Sequence, residues 1–414
     1  MRKETTKMHD LLILSNNLIF DSVLGLMTTN YYKAKSNEIE RLRCKAFSLV
    51  PAYETLDECY AYLVFNLNCN FRCIYCFETN SRTTSSALNI SECISVIKAL
   101  TKLYSKVNII LYGGEPLLMQ NTRIIQNLLR SCEELSVHIR VITNGYYLDA
   151  FKKLFQKYDY IDSITITLDG PEIIHNIRRP LHNGKGTYQK IVDNILILNS
   201  SLHTNLRINL DFENLEYQHD WLQENKEILF NNVDNIYYYR TQDISGNLAL
   251  DKLLTLDQFA NFMDELEINE NYGLPIKSGD NTYNHIKSIL ESQELIYPRY
   301  SYCEFGYIYV LMNDGNIYTC PEVAMNESYK LCTMKAFINS PERYSVLQKH
   351  NVRNIEYDNE CAICSVNMLC GGGCSVAFEF NTHCHRNEII KTIMDMIYRR
   401  NENTNLPSLH IYDL

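Results

Sequence analysis

The chain has 414 residues, 46% of them hydrophobic and 21% charged, an ordinary globular composition that excludes wholesale disorder. Its 39 Lys and Arg stand against 49 Asp and Glu, a formal net charge of −10. That is the reverse of what binding by counterion release needs, so no nucleic-acid partner is expected. At about 150 residues per domain the length implies two to three domains, and the fifteen cysteines are far more than a cytosolic enzyme ordinarily carries.

At the N-terminus, Leu11–Leu14, the polar Ser15-Asn16-Asn17 and Leu18–Phe20 read as a hairpin, and Ser36–Phe47 is helix-like. The apolar run Leu11–Leu14 is shorter than the about 7–15 residues of a signal-peptide core. No stretch approaches the roughly 18 apolar residues that span a bilayer. A cytoplasmic location with no membrane partner is therefore expected. In a reducing compartment many cysteines mean metal or redox chemistry rather than disulfides.

From Ala61 to about Arg240, apolar or β-branched runs alternate with helix-period segments. The strand candidates are Ala61–Leu67, Val107–Leu111, Ile139–Thr143, Ile161–Leu168, Leu206–Asp211 and Asn235–Arg240. Between them lie the helical patterns Ile90–Tyr104, Thr122–Leu135, Asp149–Gln156, Tyr188–Asn199 and Tyr217–Phe230. Asn89 followed by Ser91 and Glu92 supplies a cap and an acidic first turn for the first of these. Such alternation predicts an α/β fold with parallel pairing, either an open sheet or a partial barrel. Chemistry then collects at the carboxyl ends of the strands.

The motifs fall at those ends. The Cys69–Cys76 loop follows the first strand, and Gly113-Gly114-Glu115-Pro116 the second. Thr143-Asn144-Gly145 closes the third, and Thr167-Leu168-Asp169-Gly170-Pro171 the fourth. Asn-Gly and Asp-Gly are commonplace turns taken singly, but four motifs on one rim are not explained that way. Residues 241–300 add the helical runs Thr255–Ile268 and Asn281–Leu295, which bridge to a second cysteine group. That group is Cys303, Cys320, Cys361, Cys364, Cys370, Cys374 and Cys384. The remaining Cys44, Cys59, Cys93, Cys132 and Cys332 sit in apolar or helical patterns and read as small core residues. The tail beyond Arg400 is polar.

Cys69, Cys73 and Cys76 are spaced C-x3-C-x2-C, with no fourth Cys or His nearby to complete a structural zinc site. A four-iron cluster held by three thiolates instead keeps one iron open. This spacing with Tyr75 before the third cysteine, then Gly-Gly-Glu-Pro, Thr-Asn-Gly and the Leu168-Asp169-Gly170 loop, resembles radical S-adenosylmethionine (SAM) enzymes from Ala61 to about Arg240. The resemblance implies that Cys69, Cys73 and Cys76 ligate a [4Fe-4S] cluster whose open iron chelates SAM. It implies Tyr75 beside the adenine, and the Gly113, Gly114, Glu115 and Pro116 backbone with the Glu115 carboxylate at the methionine amino group. Asn144 and Asp169 lie on the same rim and would, by the same resemblance, reach the methionine or ribose parts. Arg178 or Arg179 would pair with the SAM carboxylate, the other reading of each being a surface ion pair. Asn209 either points into the barrel or belongs to ordinary strand alternation.

The second cysteine group resembles the seven-cysteine SPASM extension carried by one branch of these enzymes. Cys303, Cys320 and Cys374 would hold a first auxiliary [4Fe-4S] cluster. Cys361, Cys364, Cys370 and Cys384 would hold a second, and the Gly371-Gly372-Gly373 run before Cys374 suits a loop whose backbone must approach a cluster closely. The expected architecture is thus a partial (β/α)6 TIM-like barrel over residues 56–240 and a loop-rich SPASM domain over 301–390. A helical bridge covers 241–300, and 391–414 form a helix end and tail. Residues 1–55 are either a reduced leader-peptide-binding element or a simple cap. Tyr297–Tyr302 contain no thiol, so the first auxiliary cluster has three assigned ligands. Its fourth position is open to a substrate thiolate or amide, or taken by a distant residue such as Cys332.

This branch largely modifies peptide or protein side chains, using SAM, three clusters and an external one-electron donor such as flavodoxin or ferredoxin. The expected function is maturation of a ribosomally made precursor peptide through a thioether or carbon crosslink. The alternative is formylglycine generation in sulfatases, where an Asp base follows the cysteine aligned with Cys320. Here Pro321 and then Glu322 stand there, leaving Glu322 as the candidate catalytic base. A zinc-ribbon or iron–sulfur binding protein without radical chemistry is the reading from another class, undercut by the motifs on the rim.

Overall fold

The structure is a computed structural model that describes residues 11–13, 19–21, 26–28, 41, 57–78, 88–198, 202–243, 248–268, 275–291, 307–323, 326–350, 359–362, 364–374, 376 and 384–402. Near the N-terminus β1 (Leu11–Ile13), β2 (Ile19–Asp21) and β3 (Leu26–Thr28) form an antiparallel sheet, so the expected hairpin gains a third strand. The helix-like Ser36–Phe47 lies almost wholly outside the described residues.

Six parallel strands build the centre of a larger sheet: β4 (Glu58–Val64), β5 (Lys106–Tyr112), β6 (Val137–Thr143), β7 (Ile161–Thr167), β8 (Thr204–Leu210) and β9 (Asn235–Arg240). Their crossovers carry α1 (Ile90–Leu103), α2 (Thr122–Cys132), α3 (Leu148–Phe155), α4 (Glu172–Arg178), α5 (Tyr188–Leu198), α6 (Gln218–Glu224) and α7 (Lys226–Asn232). The Asn89 side chain caps α1 at the Glu92 amide, and Cys93, Val96, Ile97 and Leu100 form its buried stripe. Strand alternation sends Cys59, Ala61 and Leu63 into the same core, while Tyr60 and Tyr62 face the opposite, inner side. The chain is an α/β protein with a partial TIM-like core, as the alternation predicts.

Three local expectations shift. β4 ends at Val64 rather than Leu67, because Asn66 Oδ1 accepts the Asn68 amide at 3.0 Å and turns the chain off the sheet. The single helix expected over Tyr217–Phe230 breaks at Asn225, which leaves the helical region at φ −101, ψ 7. The bridge after residue 240 holds α8 (Leu256–Ile268) and α9 (Asn281–Glu291), and also β10 (Ile276–Ser278), which pairs parallel with β9.

The C-terminal region does not begin as a separate body. β11 (Ile308–Met312) pairs parallel with β4, and β12 (Asn316–Tyr318) and β13 (Lys330–Thr333) follow antiparallel. The sheet therefore runs β10-β9-β8-β7-β6-β5-β4-β11-β12-β13. Beyond it α10 (Met334–Asn339) and α11 (Pro341–His350) pack on α1. Two short turns, α12 (Asn359–Ala362) and α13 (Asn367–Cys370), precede α14 (Arg386–Glu402), which packs on α8. Buried Arg400 fixes that last contact, pairing with Asp264 at 3.3 Å and with Glu291. No described helix is long and apolar enough to cross a membrane.

Candidate active site

The cysteine loop leaves β4 through the Asn66 turn and is held on two sides. On one side it pairs with the segment after α4: the Arg72 amide donates to Pro180 O (2.8 Å), Ile74 to Arg178 O (3.0 Å), and His182 to Asn70 O (2.8 Å). On the other lies the loop after β5. The Glu115 amide donates to Asn68 O (2.8 Å) and the Gly114 amide to Glu78 Oε2 (2.7 Å). Gly114 has φ +51, and a Cβ there would lie 2.2 Å from Asn68 O, so only glycine fits against the loop. Pro116 carries the loop onward and its carbonyl accepts Asn121 Nδ2 at 3.0 Å.

Glu115 is 1% exposed, and its carboxylate accepts Thr143 Oγ1 (2.6 Å), the Asn144 amide (2.7 Å) and the Leu117 amide (2.8 Å). Burial raises its pKa against those bonds. The side chain thus ties the β5 loop to the end of β6. Asn144, locked by Glu115, reaches the cysteine loop with Nδ2, 2.8 Å from Asn70 Oδ1 and 3.9 Å from Cys69 Sγ.

The other rim residues converge on Tyr75. Its hydroxyl donates to Asp169 Oδ2 (2.5 Å) and accepts from Arg179 Nη1 (2.5 Å) and Asn209 Nδ2 (3.0 Å). Asn209 therefore points inward, and its amide donates to Asp169 Oδ1 at 3.1 Å. Burial works to raise the Asp169 pKa, but Arg178 and Arg179 prevail and hold it below the usual carboxylate range.

The two arginines separate here. Arg178, 1% exposed, meets Asp169 (3.4 Å), Asp211 (2.6 Å) and Glu213 (3.3 Å) and donates to Asn209 O (3.0 Å). It is an ion-paired strut, and a buried one. Arg179 meets Tyr75 through Nη1, while its buried Nε has no partner. Four residues without a sequence signature complete the frame. His175 Nδ1 accepts the Asp169 amide (3.1 Å), and its Nε2 lies 3.0 Å from Thr187 Oγ1, which donates to Arg179 O (2.8 Å). Desolvation, aided by Arg179, lowers the His175 pKa to about 3, so the ring is neutral. Asn214 and Gln218 both donate to Asp169 O. Only their position behind the rim marks them.

Does this site fit the cluster and SAM that the motifs imply? Three thiols share one loop, Cys69 Sγ accepts the Phe71 amide at 3.4 Å, and the Arg179 guanidinium lies within electrostatic reach of Cys73. Asn70 Nδ2 and Arg179 Nε are buried without partners, two donors aimed at nothing in the chain. The donor set fits: Cys69, Cys73 and Cys76 are the residues that would hold the cluster, and Arg179 is the donor left over for an anion. Among the described residues no three His, Cys, Asp or Glu side chains converge on a single metal ion. None of the described cysteines is in a disulfide.

Of the second cysteine group, Cys303 lies outside the described residues. Cys364 feels Cys384 electrostatically, although α14 begins only after Cys384. Gly371, Gly372 and Gly373 all take positive φ (61°, 83° and 74°) and lead α13 and Cys370 to Cys374. Cys332 pairs with Ile317 on β13 and belongs to the core with Met334 and Phe337. Burial pushes its thiol up to about 12, a core residue's environment.

After β12 comes the turn Pro321–Val323, which carries Glu322. Its charge is felt by Tyr62 and Tyr112, whose rings meet edge to face at 5.3 Å, and Cys320 is felt by Tyr62. Burial raises the Glu322 pKa and Arg207 opposes the rise.

Residues 63–223 match the model of the radical SAM superfamily. The chain is 25% identical over 339 residues to the cysteine-type anaerobic sulfatase-maturating enzyme of Clostridium novyi (strain NT), covering 74% of this chain and 85% of that protein. Its fold is similar to that of anSMEcpe with bound AdoMet (TM-score 0.65, 15% identity, 84% of this chain and 99% of the other). It also resembles Streptococcus suis SuiB bound to precursor peptide SuiA (TM-score 0.57, 16% identity, 83% and 79%). The motifs, the partial barrel and these likenesses agree: residues 63–223 carry a radical SAM domain, within a chain similar over most of its length to a sulfatase-maturating enzyme.

Proposed function

We propose that the enzyme is a maturase that oxidises a Cys or Ser side chain in a peptide segment lying along the inner face of the sheet, in the manner of the sulfatase-maturating relatives. The observation that carries this reading is Glu322: a carboxyl whose pKa is raised by burial, within electrostatic reach of Tyr62, Tyr112 and Arg207 and two residues after Cys320. Bound SAM and the cluster at Cys69, Cys73 and Cys76 supply a 5′-deoxyadenosyl radical. Arg179 holds the SAM carboxylate, the Gly113–Pro116 backbone receives the methionine amino group, and Tyr75 lies against the adenosyl portion. Asn144, Asp169 and Asn209 keep that pocket in shape. Glu322 takes the proton that the oxidised side chain must lose, and its raised pKa brings it nearer the value suited to a base at neutral pH. Cys303, Cys320 and Cys374 hold one auxiliary cluster; Cys361, Cys364, Cys370 and Cys384 hold another. An external one-electron donor starts the cycle.

Crosslinking of a ribosomal precursor peptide is the second reading. It is supported by the antiparallel sheet β1–β3, since an extended leader can add a strand to such an edge. Anaerobic reconstitution followed by mass spectrometry of a synthetic cysteine peptide separates the two. Exchange of the thiol for an aldehyde supports oxidation; loss of two hydrogens with no exchange supports a crosslink. In Glu322→Gln, peptide product falls by about 10²–10⁴ while 5′-deoxyadenosine still forms. Full product from that variant removes Glu322 as the base.

A further inference from the structure

The sheet's inner face carries several charged side chains, and most are matched. Lys106 pairs with Glu58 at 3.1 Å and His138 with Asp162 at 3.0 Å. Arg140 lies lower in the wall, three residues before β6 ends, near Tyr60. Arg207 is different. It sits on β8 opposite Thr167, the last residue of β7, and so just beneath the rim that bears Asp169. Its guanidinium stacks on the Tyr239 ring at 4.2 Å, and Nε donates to Asn209 Oδ1 at 3.0 Å. Among the described residues it makes no ion pair within 4.0 Å. Glu322 is within electrostatic reach but forms no ion pair with it. A half-buried guanidinium that is held flat by an aromatic ring and has both terminal nitrogens to spare is built to take a carboxylate bidentately.

We propose that Arg207 anchors a carboxylate of the peptide substrate, an acidic side chain or a chain terminus near the modified residue. It thereby sets which segments enter. This rests on the reading of the inner face as the peptide site. Tyr239 fixes the plane of the fork, and Asn209 joins it to the Tyr75 hydroxyl, so an anchored carboxylate lies one hydrogen-bonded residue from the SAM pocket. The chain's net charge of −10 does not attract acidic peptides at long range, so the recognition is local.

The test uses the reconstituted holoenzyme with SAM and fluorescein-labelled short Ala/Ser peptides bearing one central Cys. A single Asp is scanned along the peptide against Asn at the same position, with capped and free C-termini. Fluorescence anisotropy should show one register, or the free terminus, binding about tenfold to a hundredfold more tightly than its neutral counterpart. In Arg207→Gln that preference disappears; in Arg207→Lys part of it returns. Preference that survives in Arg207→Gln, or wild-type binding that ignores the carboxylate in every peptide, overturns the proposal. A SAM affinity that falls more than tenfold in Arg207→Gln without peptide assigns the residue to the SAM carboxylate and overturns it too. Release of 5′-deoxyadenosine without peptide reports the radical chemistry separately, so its absence in wild type counts against the proposed function and not against Arg207.

Discussion

Replacing Gly114 by alanine tests whether the cysteine loop is positioned by close backbone contact. A methyl group there would lie 2.2 Å from Asn68 O, and relief to 3.0 Å moves the carbonyl that directly precedes Cys69. The positive φ costs about 1–2 kcal/mol for any residue with a Cβ. Losing the Glu115 amide bond to Asn68 O adds about 0.5–1.5 kcal/mol, for about 1.5–3.5 kcal/mol in all. Gly184 is the control: its φ is +78 and nothing lies within 4 Å, so Gly184→Ala meets the strain alone. The assays are thermal unfolding of anaerobically purified protein and SAM-dependent 5′-deoxyadenosine release. Gly114→Ala should be the less stable variant and lose more than about tenfold in release, a barrier change of about 1.4 kcal/mol. Gly184→Ala should keep its rate. Equal stability and equal rates in both variants would refute the idea that this contact places the cluster loop.

Three further outcomes follow from the same geometry. Arg179→Gln should raise the Kd for SAM by about tenfold to a hundredfold in equilibrium dialysis with little loss of stability, whereas Arg178→Gln leaves Asp169, Asp211 and Glu213 uncompensated and lowers unfolding free energy by about 3–5 kcal/mol; the opposite pattern would exchange the two roles. The unfolded chain protonates His175 near 6.5 and the folded chain near 3, so the unfolded state binds the extra proton between those values. Stability therefore falls as pH drops from 6.5, by about 1.4 kcal/mol per unit for this group, and His175→Gln should flatten the slope of a denaturation series between pH 7 and 5. Cys332→Ala should leave the iron content unchanged, since the thiol lies in the core, and loss of about one cluster's iron would make it a ligand.

The sequence made the wall of the sheet legible because short apolar and β-branched runs alternate with helix-period segments. Within a run every second residue, such as Val107, Ile109 and Leu111, joins the main core. It made the rim legible because glycine turns and cysteines break that alternation at corresponding ends. What it could not reveal were relationships that depend on register. Asn66, inside an apolar run, ends β4 by accepting the Asn68 amide two residues on. Arg178 and Arg179 are chemically identical neighbours, and only the turn at the end of α4 gives one to three carboxylates and the other to Tyr75. Glu115 reads as a ligand-facing acid in the motif, yet its oxygens accept three groups of the chain itself. The seventh parallel strand, β10, has only three residues, too few for periodicity to register.

The pairing of β4 with β11 also bears on how the chain must be made. Tyr60 meets Ile308, so one long edge of the nascent core has no strand beside it until most of the polypeptide has left the ribosome. Until then β4 presents an open ladder rich in apolar residues, the kind of edge that recruits other chains. A fragment stopped after β9 would keep the SAM motifs and still carry that exposed edge. Solubility during synthesis thus gives the segment that follows β9 a reason to be continuous with the core.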